Sequence, residues 1–126
     1  AAARDQLDEL EVEGTRYYLR PGLEPAAPAV RLLPGFDEYL LGYSDRSAPL
    51  SGADTAVIAP GGNGMFLSTV VRNGGVVGSW RHTPGAKTVK VGIDALHDIP
   101  ASARSGIAAA AKRYGAFLER SVELSP

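Results

Sequence analysis

The clearest pattern of hydrophobic and polar positions lies on both sides of Asn73-Gly74. Asn-Gly is a preferred two-residue connection of a β-hairpin, because both positions tolerate a positive φ. The alternation around it predicts a hairpin over residues 65–82, with a register that the turn fixes. The predicted pairs are Val71 with Val76, Thr69 with Gly78 and Leu67 with Trp80 on one side, and Val70 with Val77, Ser68 with Ser79 and Phe66 with Arg81 on the other.

A third strand is predicted after this hairpin. Thr83-Pro84-Gly85-Ala86 has proline and glycine where a type II turn requires them. Apolar and more polar residues then alternate over residues 88–93, which is typical of a half-buried strand. The three strands together predict an antiparallel meander with Trp80 as a core anchor.

The longest predicted helix begins near Pro100, a residue that suits the first position of a helix, and ends near Arg120. Three strands cannot bury both of their faces alone, so we expect this helix to pack on the meander. Its apolar stripe consists of Ala103, Ile107, Ala111, Tyr114 and Leu118.

The segment before the meander is predicted to hold shorter elements. Residues 30–33 form a buried strand that Pro34-Gly35 ends, and residues 44–64 are rich in loops. Residues 36–43 form one or two helical turns, with Phe36, Tyr39, Leu40 and Tyr43 on one side.

The N-terminal segment is predicted to form a helix over residues 2–10 and a hairpin that turns near Gly14. A helix followed at once by a hairpin is typical of the closing half of a winged helix. The proline-rich segment 21–28 reads as an extended linker. We therefore expect a winged-helix remnant over 1–20 and a second domain over 21–126, within a longer protein.

The predicted fold class is α+β. It consists of a small antiparallel β-meander or partial barrel, packed by a long C-terminal helix and preceded by the helix and wing of a winged helix. The composition agrees with one folded core, because 44% of the residues are hydrophobic and 21% are charged. The chain has no cysteine and only two histidines, so we expect no metal and no cofactor.

Charge is distributed unevenly, although the net charge is only −1. Residues 55–93 contain no aspartate or glutamate. Two interpretations are open: the bases form a cationic surface, or carboxylates from the two ends of the chain fold back onto them. The basic residues and the histidine of this stretch are Arg72, Arg81, His82, Lys87 and Lys90.

Sequence motifs of catalysis are weak. The glycine-rich segment 60–64 lacks the Gly-Lys-Ser/Thr ending of a phosphate-binding loop, so turn chemistry explains it. Asp45-Arg46 is interpreted as a loop ion pair and Glu38 as part of a solvated helix face. No nucleophile elbow is present.

Three motifs resemble a known family: residues 31–46 (RLLPGFDEYLLGYSDR), residues 60–66 (PGGNGMF) and residues 73–81 (NGGVVGSWR). Together they resemble the C-terminal region of the bacterial winged-helix DNA-binding proteins that include interstrand-crosslink-repair DNA glycosylases. The resemblance implies tandem winged helices before a β-rich C-terminal domain. It also implies hydrolysis of the N-glycosidic bond of alkylated purines, with a Gln-x-Gln or Gln-x-Asp motif in the N-terminal part.

Gln6-Leu7-Asp8 matches the residue types of the Gln-x-Asp motif but not its place in the family's proteins. It lies in what resembles the last winged helix rather than the catalytic region, so we assign it no catalytic role and expect the chain to release no base.

We therefore expect a cytoplasmic, non-catalytic accessory domain of such a protein, beside upstream winged helices. Its few basic residues should bind double-stranded DNA weakly and without sequence preference. The alternative is a purely structural domain that orients the winged helices. No signal peptide or membrane-spanning run is expected. The candidate DNA-contacting residues are Arg46, Asn63, Arg72, Arg81, His82, Lys87 and Lys90.

Overall fold

The computed structural model describes residues 3–125, which form two sheets and a few helices. A two-stranded sheet comes first, built from β1 (Asp8–Val12) and β2 (Thr15–Leu19). The second sheet has five strands in the order β3-β4-β5-β6-β7. Its strands are β3 (Val30–Leu33), β4 (Thr69–Arg72), β5 (Gly75–Pro84), β6 (Thr88–Ala95) and β7 (Ser121–Ser125).

The helices are short apart from the last one. A 3-10 helix spans Arg4–Gln6, and three α-helices follow: α1 (Glu38–Leu41), α2 (Gly52–Ile58) and α3 (Ala101–Phe117). Strands β3 to β6 pair antiparallel, whereas β7 pairs parallel to β6 after the crossover through α3. The predicted fold class is confirmed: a curled sheet forms half a barrel, and the C-terminal helix covers it.

The main core lies between the sheet and α3. Val89 and Val91 of β6 are fully buried there, and Ala111 of α3 is buried against them. The predicted apolar stripe of α3 is confirmed, because Ala103 and Ile107 are buried and Tyr114 and Leu118 are half-buried. Helix α3 therefore covers one face of the curved sheet and leaves the opposite face for other contacts.

A second, smaller core lies on the opposite face of the sheet. Leu40 of α1, Ile58 of α2 and Phe66 are buried together, with Val76 of β5 packed against them. Helix α2 was not predicted, since residues 44–64 were expected to be loops. Ser51 caps it by accepting a hydrogen bond from the Asp54 amide at 3.2 Å. The predicted helical turn is α1; of the four residues predicted to share one side, Leu40 is buried, whereas Phe36, Tyr39 and Tyr43 are exposed.

The Asn73-Gly74 hairpin is confirmed, and both turn residues have a positive φ. Val71 pairs with Val76 as predicted, but Val70 and Thr69 pair one residue further along β5 than predicted, and residues 66–68 lie before β4 begins. Val70 lies opposite Gly78, because a β-bulge leaves Val77 as an extra residue on β5. The carbonyl of Val77 accepts a hydrogen bond from the Leu96 amide at 3.0 Å, so the bulged residue finds its hydrogen-bond partner in the segment after β6.

The second predicted turn is displaced by two residues. Gly85 donates its amide to the Thr88 carbonyl at 2.8 Å, which places the turn at residues 85–88 rather than at 83–86. Pro84 still belongs to β5, where it pairs with Val89. A type II turn would need a positive φ at Gly85, and Gly85 does not have one.

The N-terminal prediction is correct for the hairpin and wrong for part of the helix. Residues 8–10 lie in β1, because five residue pairs with β2 satisfy that backbone better than one further helical turn. Only the 3-10 helix remains of the predicted helix; residue 2 lies outside the described residues. The turn at Glu13-Gly14 is as predicted, with both φ values positive.

The C-terminal end of the chain holds a strand that was not predicted. Helix α3 ends at Phe117 rather than near Arg120, and Glu119 follows it with a φ of 55°. The amides of Glu119 and Arg120 bond back to the carbonyls of Ala116 and Gly115, which is a Schellman motif. The chain then reverses into β7. Within residues 3–125, no helix is long and apolar enough to cross a membrane.

Candidate nucleic-acid interface

One part of the sheet that faces away from α3 is not covered by α1 and α2. We call it the open sheet face; it comprises the outward-facing residues of β5, β6 and β7. Register places them on one side, since Arg81 pairs with Gly92, Thr83 with Lys90 and Lys90 with Glu123. The open sheet face consists of Arg81, Thr83, Thr88, Lys90, Gly92, Asp94, Ser121, Glu123 and Ser125.

Arg81 is the central cation of the open sheet face. Its side chain lies across Gly92, where an added Cβ would come within 3.3 Å of Nε. The guanidinium forms an ion pair with Asp94, two residues further along β6. Both side chains are more than half exposed, so water screens the pair and it contributes at most about 1 kcal/mol to stability.

Two lysines continue this surface. Lys90 is exposed on β6, with Thr83 on one side and Glu123 on the other. Lys87 lies in the β5–β6 turn, and its carbonyl accepts hydrogen bonds from the amide and the hydroxyl of Ser121 at 3.0 and 3.2 Å. The turn is therefore fixed to β7, which holds the lysine at the rim of the open sheet face.

The hydroxyl groups of this face were not found from the sequence. Thr88 and Ser121 lie 2.8 Å apart through their side-chain oxygens, and Ser125 follows on the same side of β7. The signal that could have identified them is the alternation Ser121-Val122-Glu123-Leu124-Ser125, in which every second residue is polar. Cations and hydroxyls therefore share one solvent-facing surface.

The structure supports the interpretation that carboxylates fold back onto the bases, at least for Arg81. Asp94 lies just outside the acid-free stretch and forms an ion pair with Arg81. Glu123 comes from the C-terminal end and lies beside Lys90 through strand pairing. The open sheet face thus carries two cations and two carboxylates, and Lys87 at its rim adds one positive charge.

The other four candidate residues lie elsewhere. Arg46 is half-buried, with its guanidinium 4.9 Å from the centre of the Phe66 ring and its Nε bonded to the Leu40 carbonyl. Asn63 accepts the Met65 amide at 3.2 Å within its own loop. Arg72 donates to the Ser102 hydroxyl at 3.3 Å, near the start of α3. These contacts stabilise the fold locally and do not bring the three residues together.

His82 lies on the α3 side of the sheet, in an aromatic cluster with Trp80 and Tyr114. The Trp80 ring packs edge-on against Tyr114, with centroids 5.0 Å apart, and its Nε1 donates to the Leu33 carbonyl at 2.8 Å. Nδ1 of His82 is hydrogen-bonded to the Tyr114 hydroxyl. Burial raises the pKa of Tyr114, and the charge of Arg120 opposes this effect. Trp80 is thus the core anchor that the sequence predicted.

The two polar residues of the Gln6-Leu7-Asp8 motif lie where the 3-10 helix ends and β1 begins. Gln6 is an exposed residue at the end of the 3-10 helix, and Asp8 accepts the Gly22 amide at 3.4 Å. In the part of the chain that the structure describes, no three histidine, aspartate or glutamate side chains group in a way that could hold a metal ion.

The family model described as "DNA glycosylase AlkZ-like" matches residues 1–117, and the chain therefore belongs to the AlkZ-like family of DNA-repair proteins. Among solved structures, the DNA glycosylase AlkZ of Streptomyces sahachiroi is similar, with a TM-score of 0.68 and 23% sequence identity. The match covers 96% of this chain and 34% of AlkZ, so the chain spans about a third of that protein's length. No curated protein matches it.

Proposed function

We propose that residues 21–126 are a non-catalytic accessory domain that binds double-stranded DNA weakly through the open sheet face. One observation carries this proposal: Arg81 and Lys90 share an exposed sheet surface with several hydroxyl groups, Lys87 lies at its rim, and no other element of residues 3–125 covers it. Lysine, arginine, serine and threonine are the side chains that most often contact phosphate and sugar.

The electrostatics limit the expected affinity. Each phosphate neutralised contributes about 0.9 to the slope of log affinity against log salt. Because Asp94 and Glu123 compete for two of the three cations, we expect few phosphate contacts. The dissociation constant should then lie in the range of non-specific complexes, about 10⁻⁴ to 10⁻⁶ M, without sequence preference.

A purely structural role is the second candidate, and two observations favour it. The cations of the open sheet face are already partly balanced by carboxylates. In addition, the β1–β2 hairpin contributes no residue to either core. On this hypothesis residues 1–20 are the closing part of a winged helix, and residues 21–126 orient the winged helices of an AlkZ-like protein without touching DNA.

A titration of a fluorescently labelled duplex at two salt concentrations separates the two candidates. The test variant is Arg81→Glu/Lys90→Glu, which reverses two charges on the open sheet face. Its matched control is Arg104→Glu/Lys112→Glu, which makes the same change in charge on the exposed side of α3.

A DNA-binding domain should bind at low salt, lose affinity as salt is added, and lose it further in the test variant but not in the control. Binding that is undetectable at low salt, or that both variants weaken equally, would support the structural candidate instead.

A further inference from the structure

Both asparagines of the chain, Asn63 and Asn73, are followed by glycine. In such a pair the backbone nitrogen of the glycine can attack the side-chain carbonyl carbon of the asparagine, because glycine has no Cβ to obstruct the approach. Ammonia leaves, and a succinimide ring forms. Water then opens the ring to aspartate or isoaspartate, so that a hydroxyl group replaces the amide nitrogen without oxidation or reduction. The two pairs share this chemistry, and their surroundings decide which of them reacts.

The Asn73-Gly74 pair is held by contacts with two other segments. Oδ1 of Asn73 accepts the Ala29 amide at 2.9 Å, and the Asn73 amide donates to the Ala29 carbonyl at 3.0 Å. The Tyr39 hydroxyl donates to the Gly74 carbonyl, and a Cβ built at Gly74 would lie 3.5 Å from that hydroxyl oxygen. Attack by the Gly74 nitrogen would require the carboxamide to leave Ala29 and the turn to change its backbone angles. These contacts therefore protect Asn73.

The Asn63-Gly64 pair lies in a loop whose residues 60–65 are all exposed. Oδ1 of Asn63 accepts the Met65 amide at 3.2 Å, only two residues further along the same loop. This bond moves with the loop and folds the carboxamide back toward the peptide that follows it. Apart from its chain neighbours, a Cβ built at Gly64 would meet no atom within 4 Å. The approach to the Gly64 nitrogen is therefore open.

The ends of this loop are fixed, whereas its centre is not. The amides of Gly62 and Leu67 donate to carbonyls at the end of α2, at 3.2 and 2.9 Å. Within residues 3–125, the backbone amides of Asn63 and Gly64 donate no hydrogen bond. The nitrogen that attacks thus has no hydrogen bond to lose, and the fixed ends of the loop do not restrain it directly.

We propose that Asn63 is a site of spontaneous deamidation in the folded protein and that Asn73 is not. The reaction adds one negative charge to the loop between α2 and β4, in a chain whose net charge is −1. Isoaspartate also lengthens the backbone by one methylene group shortly before Phe66, which is buried in the second core. The proposal does not depend on the open sheet face binding DNA.

The experiment incubates the folded 126-residue chain at mildly alkaline pH and follows both sites by mass spectrometry. Cleavage by trypsin after Arg46, Arg72 and Arg81 places the two asparagines on separate peptides, residues 47–72 and residues 73–81. Peptide 47–72 should convert to the heavier aspartate and isoaspartate forms, which chromatography separates. Its conversion should be at least roughly tenfold faster than that of peptide 73–81, because reaction at Asn73 requires the hairpin to open first.

Two controls separate the effect of the fold from that of the local sequence. In concentrated urea the contacts of Asn73 are lost, so the two peptides should convert at similar rates. Asn63→Gln keeps a carboxamide at this position, but its additional methylene group would require a larger ring. The intact mass of the folded Asn63→Gln variant should therefore stay constant over the time in which the wild type becomes heavier.

Equal or faster conversion of peptide 73–81 in the folded chain would overturn the proposal. An unchanged peptide 47–72, after the chain in urea has already reacted, would do the same. A rate difference that is as large in urea as in the folded chain would also overturn it, because the neighbouring residues rather than the fold would then be its cause. None of these measurements uses DNA, so this test and the duplex titration fail separately.

Discussion

The side chain of Arg81 lies across Gly92 on the neighbouring strand, in close contact with the glycine backbone. A Cβ at residue 92 would lie 3.3 to 3.4 Å from Nε, Cγ and Cζ of Arg81. The arginine reaches Asp94 by this route. The absence of a Cβ at residue 92 therefore lets the central cation of the open sheet face lie close against β6.

Gly92→Ala should displace the Arg81 side chain by a few tenths of an ångström without unfolding the sheet. The neighbour is a flexible, exposed side chain, so the free energy of unfolding should change by at most about 0.5 kcal/mol. The Arg81 Nε–H signal in NMR spectra should nevertheless shift, because its contact with Asp94 loosens.

Gly78→Ala is the informative comparison, because the two glycines lie on the same pair of strands. A Cβ at residue 78 would lie 2.5 Å from the backbone oxygen of Asp94, which cannot move independently of β6. We expect a loss of about 1–3 kcal/mol in urea unfolding. Equal losses in the free energy of unfolding for Gly92→Ala and Gly78→Ala would contradict this argument, because a flexible side chain would then resist the new Cβ as strongly as a backbone oxygen does.

Local sequence signals were sufficient to predict the elements that a short segment of the chain determines. Asn73-Gly74 determined its hairpin, and the apolar stripe after Pro100 determined α3 and the face it buries. Helix α2 also had a local signal that was missed: Ser51 and Asp54 have the spacing of a capping box before an apolar segment.

Long-range pairing accounts for what the sequence could not supply. A turn at 83–86 would place Arg81 opposite Thr88, whereas the observed turn at 85–88 places it opposite Gly92 and near Asp94. Strand β7 reaches β6 only through the α3 crossover, so nothing local reveals that Glu123 lies beside Lys90. The charge balance of the candidate site therefore depends on register, which the local pattern does not fix.

Glu119→Gly should stabilise the protein. Glu119 occupies the left-handed position after α3, with a φ of 55°, where residues with a Cβ are strained and glycine is favoured. The gain should be about 1 kcal/mol, reduced somewhat by the greater freedom of glycine in the unfolded chain. Glu119→Ala is the control: it removes the same carboxylate but keeps the Cβ, so a thermal unfolding midpoint near that of the wild type is expected. A lower midpoint for the glycine variant would contradict the argument.

The start of α2 should make stability depend on pH in the acid range. A hydrogen bond from the Ser51 hydroxyl, and then one from His97, lower the pKa of the Asp54 carboxyl. A carboxyl whose pKa is lowered by folding stabilises the protein above its unfolded pKa of about 3.9. That contribution is lost as the pH falls through the folded pKa.

The check is thermal unfolding of the wild type and Asp54→Asn between pH 7 and pH 2. The wild type should be the more stable at pH 7, and the difference between the two curves should shrink as the pH falls below the unfolded pKa of about 3.9 and the folded carboxyl becomes protonated. Asp98→Asn is the control for net charge. It removes a carboxylate that the structure does not show hydrogen-bonded to Ser51 or His97. A difference between wild type and Asp54→Asn that persists unchanged at pH 2 would exclude the carboxylate as its cause.

The carboxylates of the open sheet face provide the strictest test of DNA binding, because their removal should improve it. Asp94→Asn releases Arg81 from its ion pair, and Glu123→Gln removes the acid beside Lys90. If phosphates bind this face, each substitution removes one competing negative charge. An exposed pair contributes about 0.2–1 kcal/mol, so Asp94→Asn should bind duplex DNA about 1.4- to 5-fold more tightly at low salt, and the gain for Glu123→Gln, which breaks no ion pair, should be no larger; stability should change little.

Asp98→Asn serves again as the control, since it raises the net charge equally but lies on the loop before α3. The measurement is the same labelled-duplex titration, with the salt slope recorded for each variant. A gain in affinity that Asp98→Asn reproduces would reflect net charge alone. A gain confined to Asp94→Asn and Glu123→Gln would locate the DNA contact on β5, β6 and β7, because only there do the released cations of Arg81 and Lys90 become available to phosphate.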